Sequence, residues 1–114
     1  MREIDRFIDK FGRSTYVTDG EWSSHVYNAV IEPLRYKNKM YLYGSYNELG
    51  HYPEAFYLYI GPSSVTFDNL GDAAIVHTSD GKSYLIHHWE KVYIKERPVY
   101  IWAVIKERVG ELWT

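Results

Sequence analysis

The sequence has no cysteine among its 114 residues. Disulfide bonds, thiolate metal sites and cysteine nucleophiles are therefore excluded together. Long apolar runs are also missing, because no stretch approaches the roughly 20 residues that a membrane-spanning helix needs. Residues 1–14 carry charges in every turn and lack the apolar centre of a signal peptide. We therefore expect a soluble, intracellular protein.

An excess of charge of one sign is absent as well. The 13 Lys and Arg residues against 15 Asp and Glu residues give a net charge of −2, which does not favour binding to a polyanion. Aromatic residues, in contrast, are abundant at 18%, with 12 Tyr and 4 Trp. Such side chains favour β-strands and are enriched in contact surfaces between proteins. The length suits a single domain, residues 1–114, with one modest core.

The N-terminal segment predicts a short amphipathic helix over residues 2–11. Its apolar side chains follow the spacing of one helical face, and charged residues occupy the other sides. Gly12 is a suitable position for the helix to end. About ten residues are too few for a stable isolated helix, so the apolar stripe must dock on its own domain or on a neighbouring subunit. That stripe consists of Ile4, Phe7, Ile8 and Phe11.

The pattern of about residues 13–105 predicts short strands that are separated by turns. Residues 106–114 are expected to form a C-terminal tail. Close spacing of the strands, with no helix-length pattern between them, indicates a mainly β fold: a small antiparallel β-barrel or sandwich. Gly61-Pro62 is expected to end a strand and residues 61–72 to form a loop. Residues 99–105 are apolar on both faces, which predicts a strand that is central or sandwiched against a subunit. The other strands are predicted at 15–17, 24–31, 36–43, 56–60, 73–78 and 83–93.

Asp80-Gly81 between two β-prone runs predicts a hairpin with a two-residue turn. That register pairs His77 with Tyr84 and Ala73 with His88. His77 and His88 would then share a face but lie roughly 13 Å apart, too far to hold one ion.

The chain has five histidines, which raises the question of a metal site. His87 would point to the opposite face from His88. A composite site that includes His51 or Glu54 from another loop stays conceivable, but the pattern favours no metal. The five are His25, His51, His77, His87 and His88.

Sequence motifs of enzymes are missing. Gly81-Lys82-Ser83 matches the end of a phosphate-binding loop, but the first glycine of that motif falls at Val76, and the context is a hairpin. Neither a G-x-S-x-G elbow nor a His-Glu-x-x-His helix is present. We therefore predict no enzyme, no catalytic residues and no cofactor.

Residues 35–43 form a local patch of basic and aromatic side chains. Cations can hold phosphates and rings can stack on bases, so the patch could bind nucleic acid. It could equally be a solvated turn around Asn38 or an interface for an acidic protein partner. The patch consists of Arg35, Tyr36, Lys37, Asn38, Lys39, Tyr41 and Tyr43.

Three segments resemble a known family. PLRYKNKMY at 33–41, YLYIGP at 57–62 and RPVYIWAV at 97–104 are similar to small proteins encoded in structural modules of tailed phages and prophages of Gram-positive bacteria. The resemblance spans about residues 11–105, and the three segments occur in the same order. None of them is a catalytic motif, so the similarity indicates common ancestry and does not identify a functional site.

The resemblance implies a head-completion or neck protein of the stopper type, a small β-barrel that assembles as a ring between portal and tail. The implied partners are portal or adaptor proteins, tail proteins and copies of itself, with at most weak contact to packaged DNA. The ring would form in the particle, and isolated copies can be monomers. The implied locations are the bacterial cytoplasm during assembly and the virion neck afterwards. Candidate contact residues are Arg35, Lys37, Lys39, Tyr41, Tyr43 and Trp102.

Two alternatives stay open. A tail-terminator or tail-completion protein of the same phage module would also be a small β-rich ring subunit. A nucleic-acid-binding β-barrel that uses Arg35, Lys37 and Lys39 belongs to another functional class.

Overall fold

The computed structural model describes residues 3–34 and 56–108. One helix precedes seven strands, so the fold is mainly β, as the sequence predicts. The helix α1 spans Glu3–Phe11. The strands are β1 Arg13–Asp19, β2 Trp22–Ser23, β3 Tyr27–Pro33, β4 Phe56–Pro62, β5 Ile75–Thr78, β6 Ser83–Ile94 and β7 Arg97–Glu107.

Six of these strands form a closed antiparallel β-barrel. Their order around the barrel is β1-β3-β4-β7-β6-β5, and pairing of β1 with β5 closes it. The short β2 pairs with the far end of β1, outside the closed ring of strands. The prediction of a small antiparallel barrel with an N-terminal helix is therefore confirmed, and the sandwich alternative is not realised.

The barrel interior is filled by alternate residues of its strands. Large rings from three strands meet there, and the Tyr27 and Tyr59 hydroxyls share a hydrogen bond of 3.0 Å. Phe67, from the loop after β4, packs on the Tyr59 ring at a centroid distance of 5.3 Å. The other buried members include Val17, Ala29, Val76, Tyr84, Ile101, Ala103 and Ile105.

β7 lies between β4 and β6 and is buried on both faces. Ile101, Ala103 and Ile105 face the interior, while Trp102 and Val104 belong to a second apolar cluster on the outer face. The prediction that this strand is central is therefore confirmed. It ends at Glu107, two residues beyond the predicted limit of 105.

α1 ends where the chain turns directly into β1. The Gly12 N–H donates to the carbonyl of Ile8 at 2.8 Å. A Cβ at residue 12 would overlap that carbonyl and lie 3.0 Å from the Ala29 nitrogen, so the close approach of helix and strand requires glycine. The predicted helix end is confirmed.

The hairpin between β5 and β6 shows that the predicted register is wrong. His77 pairs with Ser83 and Val76 with Tyr84, one residue away from the prediction. The turn has three residues, 79–81, closed by the Thr78 N–H donating to the Lys82 carbonyl at 3.0 Å. Gly81 has a φ of 90°, and this left-handed glycine makes the longer loop possible.

A β-bulge at His87 shifts the register again. Ile86 pairs with Ile105, but His88 pairs with Val104, so His87 is the additional residue. His88 therefore pairs with β7 and not with Ala73, which precedes β5. The bulge compensates for the longer turn, so His77 and His88 share a face as predicted, although for a different reason, and this face is the outer one.

Other boundaries differ by a few residues. Gly61 and Pro62 belong to β4 and pair with Ile101 and Tyr100 of β7, so this strand ends at Pro62, two residues beyond the predicted limit of 60. β3 begins at Tyr27 and not at residue 24, and β5 begins at Ile75 and not at residue 73. The predicted strand at 36–43 lies outside the described residues.

Candidate interaction surface

The predicted contact residues divide into two groups. Arg35, Lys37, Lys39, Tyr41 and Tyr43 lie outside the described residues. Trp102 is described and is only 3% exposed.

Trp102 is the centre of the apolar cluster on the outer face of β4 and β7. The His88 ring lies 5.5 Å from the Trp102 ring, and the neighbouring side chains on both strands are apolar. Since the side chain is buried within its own chain, it offers no free surface to a neighbouring subunit. The cluster consists of Leu34, Phe56, Trp102 and Val104, with Leu58, Ile60, Val92 and Tyr100 packed against it.

The exposed apolar side chains lie elsewhere, and four of them gather at one end of the barrel. β4 ends at Pro62, which pairs with Tyr100, and the β6–β7 hairpin continues beyond that pair. At the start of β3, Tyr27 pairs with Thr15 of β1. β1 continues beyond this pair to its contact with β2. We call this end, where β4 finishes and β3 begins, the Pro62 end. Its large exposed apolar residues are Trp22, Val26, Tyr93 and Ile94.

Trp22 forms a ridge between two shallow clefts at the Pro62 end. One cleft of about 330 Å³ is lined by residues 22–25 and 64–66. The other, of about 280 Å³, is lined by Asp19 and Asn69 among others. The Asp19 carboxylate accepts the Gly71 N–H at 2.9 Å, which fixes the loop after β4 against the β1–β2 turn. This hydrogen bond therefore helps to hold the segment that carries the Trp22 ridge in place.

The β6–β7 hairpin overhangs the barrel at the same end. β7 pairs with β4 only as far as Tyr100, whereas its pairing with β6 continues to Ile94 and Arg97. Residues 93–98 are all exposed. We call residues 93–98 the hairpin tip. Sequence reasoning missed it, although β6 with 12 residues and β7 with 11 are both much longer than β4 with 7, so the β6–β7 hairpin extends beyond β4.

α1 docks on its own barrel through only part of its apolar stripe. Ile8 is buried, and the helix packs against β3 and β4. Phe7 and Phe11 stay exposed, with ring centroids 5.3 Å apart, and Phe11 is 59% exposed. The helix therefore docks on its own domain through Ile8, whereas the Phe7 and Phe11 side chains keep exposed apolar surface.

A cleft beside α1 combines apolar and acidic side chains. It has a volume of about 300 Å³ and lies where the helix meets the start of β3 and the end of β4. We call it the α1 cleft. Its lining consists of Asp5, Ile8, Asp9, Tyr27, Asn28 and Pro62.

The described histidines are spread over the barrel. His77 stacks on Tyr16 at 4.6 Å and is held by the hydroxyls of Thr18 and Ser83, at 2.9 and 3.2 Å from its two ring nitrogens. Burial, and then the nearby Arg108, lower the pKa of His77. His77 therefore joins β1, β5 and β6 at the seam where the barrel closes.

Within the described ranges, no three His, Asp or Glu side chains gather as a candidate metal site. His51 and Glu54, which the composite site would need, lie outside those ranges.

A cavity of about 390 Å³ lies between β6 and the loop after β4. Aromatic and aliphatic side chains dominate its lining, and its ionisable residues are Asp72 and His87.

Comparison with known protein families, with curated proteins and with solved structures found no match. No helix in residues 3–34 or 56–108 has the length and apolar character required to span a membrane.

Proposed function

We propose that the chain is a structural subunit of a tailed-phage or prophage particle, of the stopper type that completes the head and joins it to the tail. In this role, copies form a ring between the portal or adaptor and the tail. The resemblance of the segments at 33–41, 57–62 and 97–104 to proteins of such modules suggests the particle. The surface of the barrel supports the mode of action.

The observation that carries the proposal is the apolar character of the Pro62 end. Val26 is 63% exposed and Trp22 is half exposed, although the barrel has a complete core of its own. Exposed apolar side chains at one end of a folded protein are a feature of surfaces that bind other proteins, and tryptophan is a frequent anchor there. A ring subunit in a neck must contact the component above or below it, and the Pro62 end offers such a surface.

The proposal is tested by mixing the purified chain with portal–adaptor complexes and with tail tubes of the phage that encodes it, followed by sedimentation. We expect the chain to sediment with the portal–adaptor complex. Val26→Arg should weaken that binding, because it places a charge in the centre of the apolar end. Ser79→Arg is the matched control, since residue 79 is exposed in the turn at the opposite end of the barrel.

The other outcomes separate the alternatives. Binding to tail tubes alone would assign the chain to tail completion. Binding to neither component, together with DNA binding that weakens steeply with salt, would replace the proposal with a nucleic-acid-binding barrel.

A further inference from the structure

We propose that the hairpin tip of one copy docks into the α1 cleft of a second copy, and that this is the lateral contact of the ring. The inference rests on the proposed function, in which copies of the chain assemble. It adds the two surfaces that meet and the residues on each.

The hairpin tip presents two exposed apolar side chains, Tyr93 and Ile94, beside two cations, Lys95 and Arg97, and one anion, Glu96. Ile94 is 57% exposed and pairs directly with Arg97 across the hairpin, so both side chains lie on the same face of the ladder. Lys95 occupies the turn with a φ of 58°. Val92, two residues before Ile94, packs on the outer cluster, and the register between β6 and β7 shifts between Val92 and Tyr93, where Val99 is the additional residue. Ile94 and Arg97 therefore share one face of a hairpin that projects beyond the last pair of β7 with β4.

The α1 cleft presents the opposite combination. Ile8, Tyr27 and Pro62 supply an apolar floor, and Asp5 and Asp9 lie one helical turn apart on the rim. Within residues 3–34 and 56–108, neither carboxylate forms an ion pair. The nearby cation Lys10 lies over the Phe11 ring at 5.5 Å and does not line the cleft.

The two surfaces therefore match in charge and in polarity. Lys95 and Arg97 can pair with Asp5 and Asp9 while Ile94 enters the apolar floor between them. The cleft of about 300 Å³ is at the lower limit of pockets that hold small molecules, which suits one or two inserted side chains. In the structure the tip does not occupy the cleft of its own chain, since residues 93–98 are all exposed.

The positions of the two surfaces suit a ring. Pro62, which lines the cleft, pairs with Tyr100, and the tip begins only a few residues beyond Tyr100. Tip and cleft therefore lie at the same end of the barrel. A contact between two different surfaces at one level can be repeated by rotation without a rise along the axis, which is the condition for closure.

Disulfide cross-linking tests the contact directly, because the chain has no cysteine of its own. Ile94→Cys protein is mixed with Asp9→Cys protein under mild oxidation and compared with a mixture of Ile94→Cys and Ser79→Cys. Residue 79 lies in the turn beyond the pair of Ser83 with His77, at the opposite end of the barrel. We expect a mixed dimer of the first pair and little of the second. Equal yields from both mixtures, or no mixed dimer at about millimolar protein, would overturn the proposal.

Charge reversal tests the proposed ion pairs. Asp5→Lys with Asp9→Lys should weaken self-association about tenfold in analytical ultracentrifugation, and so should Lys95→Glu with Arg97→Glu. The two double variants mixed together should associate again, because the charges complement each other in the reversed sense. Association that is unaffected by either double variant contradicts the inference.

The failure of this inference can be told apart from failure of the proposed function. If the chain binds the portal–adaptor complex but gives no cross-link between residues 94 and 9, the contact is wrong and the neck role stands. If the cross-link forms but neither portal nor tail is bound, the contact stands and the neck role fails.

Discussion

Replacing Gly61 by alanine should destabilise the barrel strongly. Gly61 lies on β4, two residues after Tyr59, and faces the interior of the barrel. The Tyr59 ring covers it. A Cβ at residue 61 would overlap the Tyr59 hydroxyl and would lie 2.5 Å from Cζ and 2.9 Å from Cε1 of that ring. Tyr59 is fully buried, with Phe67 packed against its ring, so the ring has no free space into which to move.

The expected cost has two parts. Forcing an additional methyl group into a packed core typically costs about 1–3 kcal/mol. Displacement of the Tyr59 ring also lengthens its hydrogen bond to Tyr27, which contributes about 1 kcal/mol. Alanine recovers about 0.5–1 kcal/mol because it restricts the unfolded chain more than glycine does. We therefore expect a net loss of about 1–3.5 kcal/mol in the free energy of unfolding, out of about 5–15 kcal/mol for a typical domain.

Urea denaturation followed by tryptophan fluorescence measures this loss as a lower midpoint with an unchanged slope. Gly71→Ala is the matched control, because a Cβ there meets only the Asp19 carboxylate at 3.7 Å, an ordinary contact. In a Tyr59→Phe background the Gly61→Ala cost should shrink, since the hydroxyl that the methyl group overlaps is gone. Equal costs at residues 61 and 71 would refute the packing argument.

Three further predictions concern charge and backbone. Burial raises the pKa of Tyr27 to about 12 and that of Tyr59 well above its usual value, so the contribution of these two tyrosines to the free energy of unfolding should be constant below about pH 10 and fall above it as the unfolded chain ionises. Urea midpoints at about pH 9 and about pH 11 check this, and equal midpoints would contradict it. The lowered pKa of His77 predicts the opposite trend in acid: stability falls as the pH drops below about 6.5, and His77→Gln should reduce that fall in the same titration. Lys95→Gly should raise the free energy of unfolding by about 1 kcal/mol, because lysine is strained at a φ of 58°; a lower urea midpoint would show that reasoning to be wrong.

Most of the fold could be predicted from local patterns. Alternation in β4 and β7, the stripe of α1 and Gly12 at its end each depend on neighbours in the sequence. The hairpin register could not be predicted in the same way. Asp80-Gly81 is compatible with a two-residue or a three-residue loop, and the Asp80 side chain favours the longer one by accepting the Lys82 N–H at 3.3 Å. The bulge at His87 depends on how β6 follows the barrel, which no short segment encodes.

The candidate surface was harder to predict than the fold. Trp102 was selected because tryptophan is common in interfaces, yet the residue belongs to a strand buried on both faces. The same apolar pattern that predicted a central strand also argued against free surface at Trp102. Trp22, Val26 and Ile94 lie in short or overhanging elements, where exposure follows from strand lengths and pairing and not from residue type.

The positions of these surfaces connect the closed barrel to assembly. In a closed barrel β1 pairs with β5, so most of the strand edges that could recruit another chain are already satisfied. Contacts with other proteins must then come from side chains on elements that project from the barrel. In the described residues, the projecting elements are the Trp22 ridge, the hairpin tip and the outer side of α1, and each carries exposed apolar groups. This arrangement is compatible with the proposed association through side chains, and in the ring contact that we propose, complementary charges at Asp5, Asp9, Lys95 and Arg97 would select the partner surface.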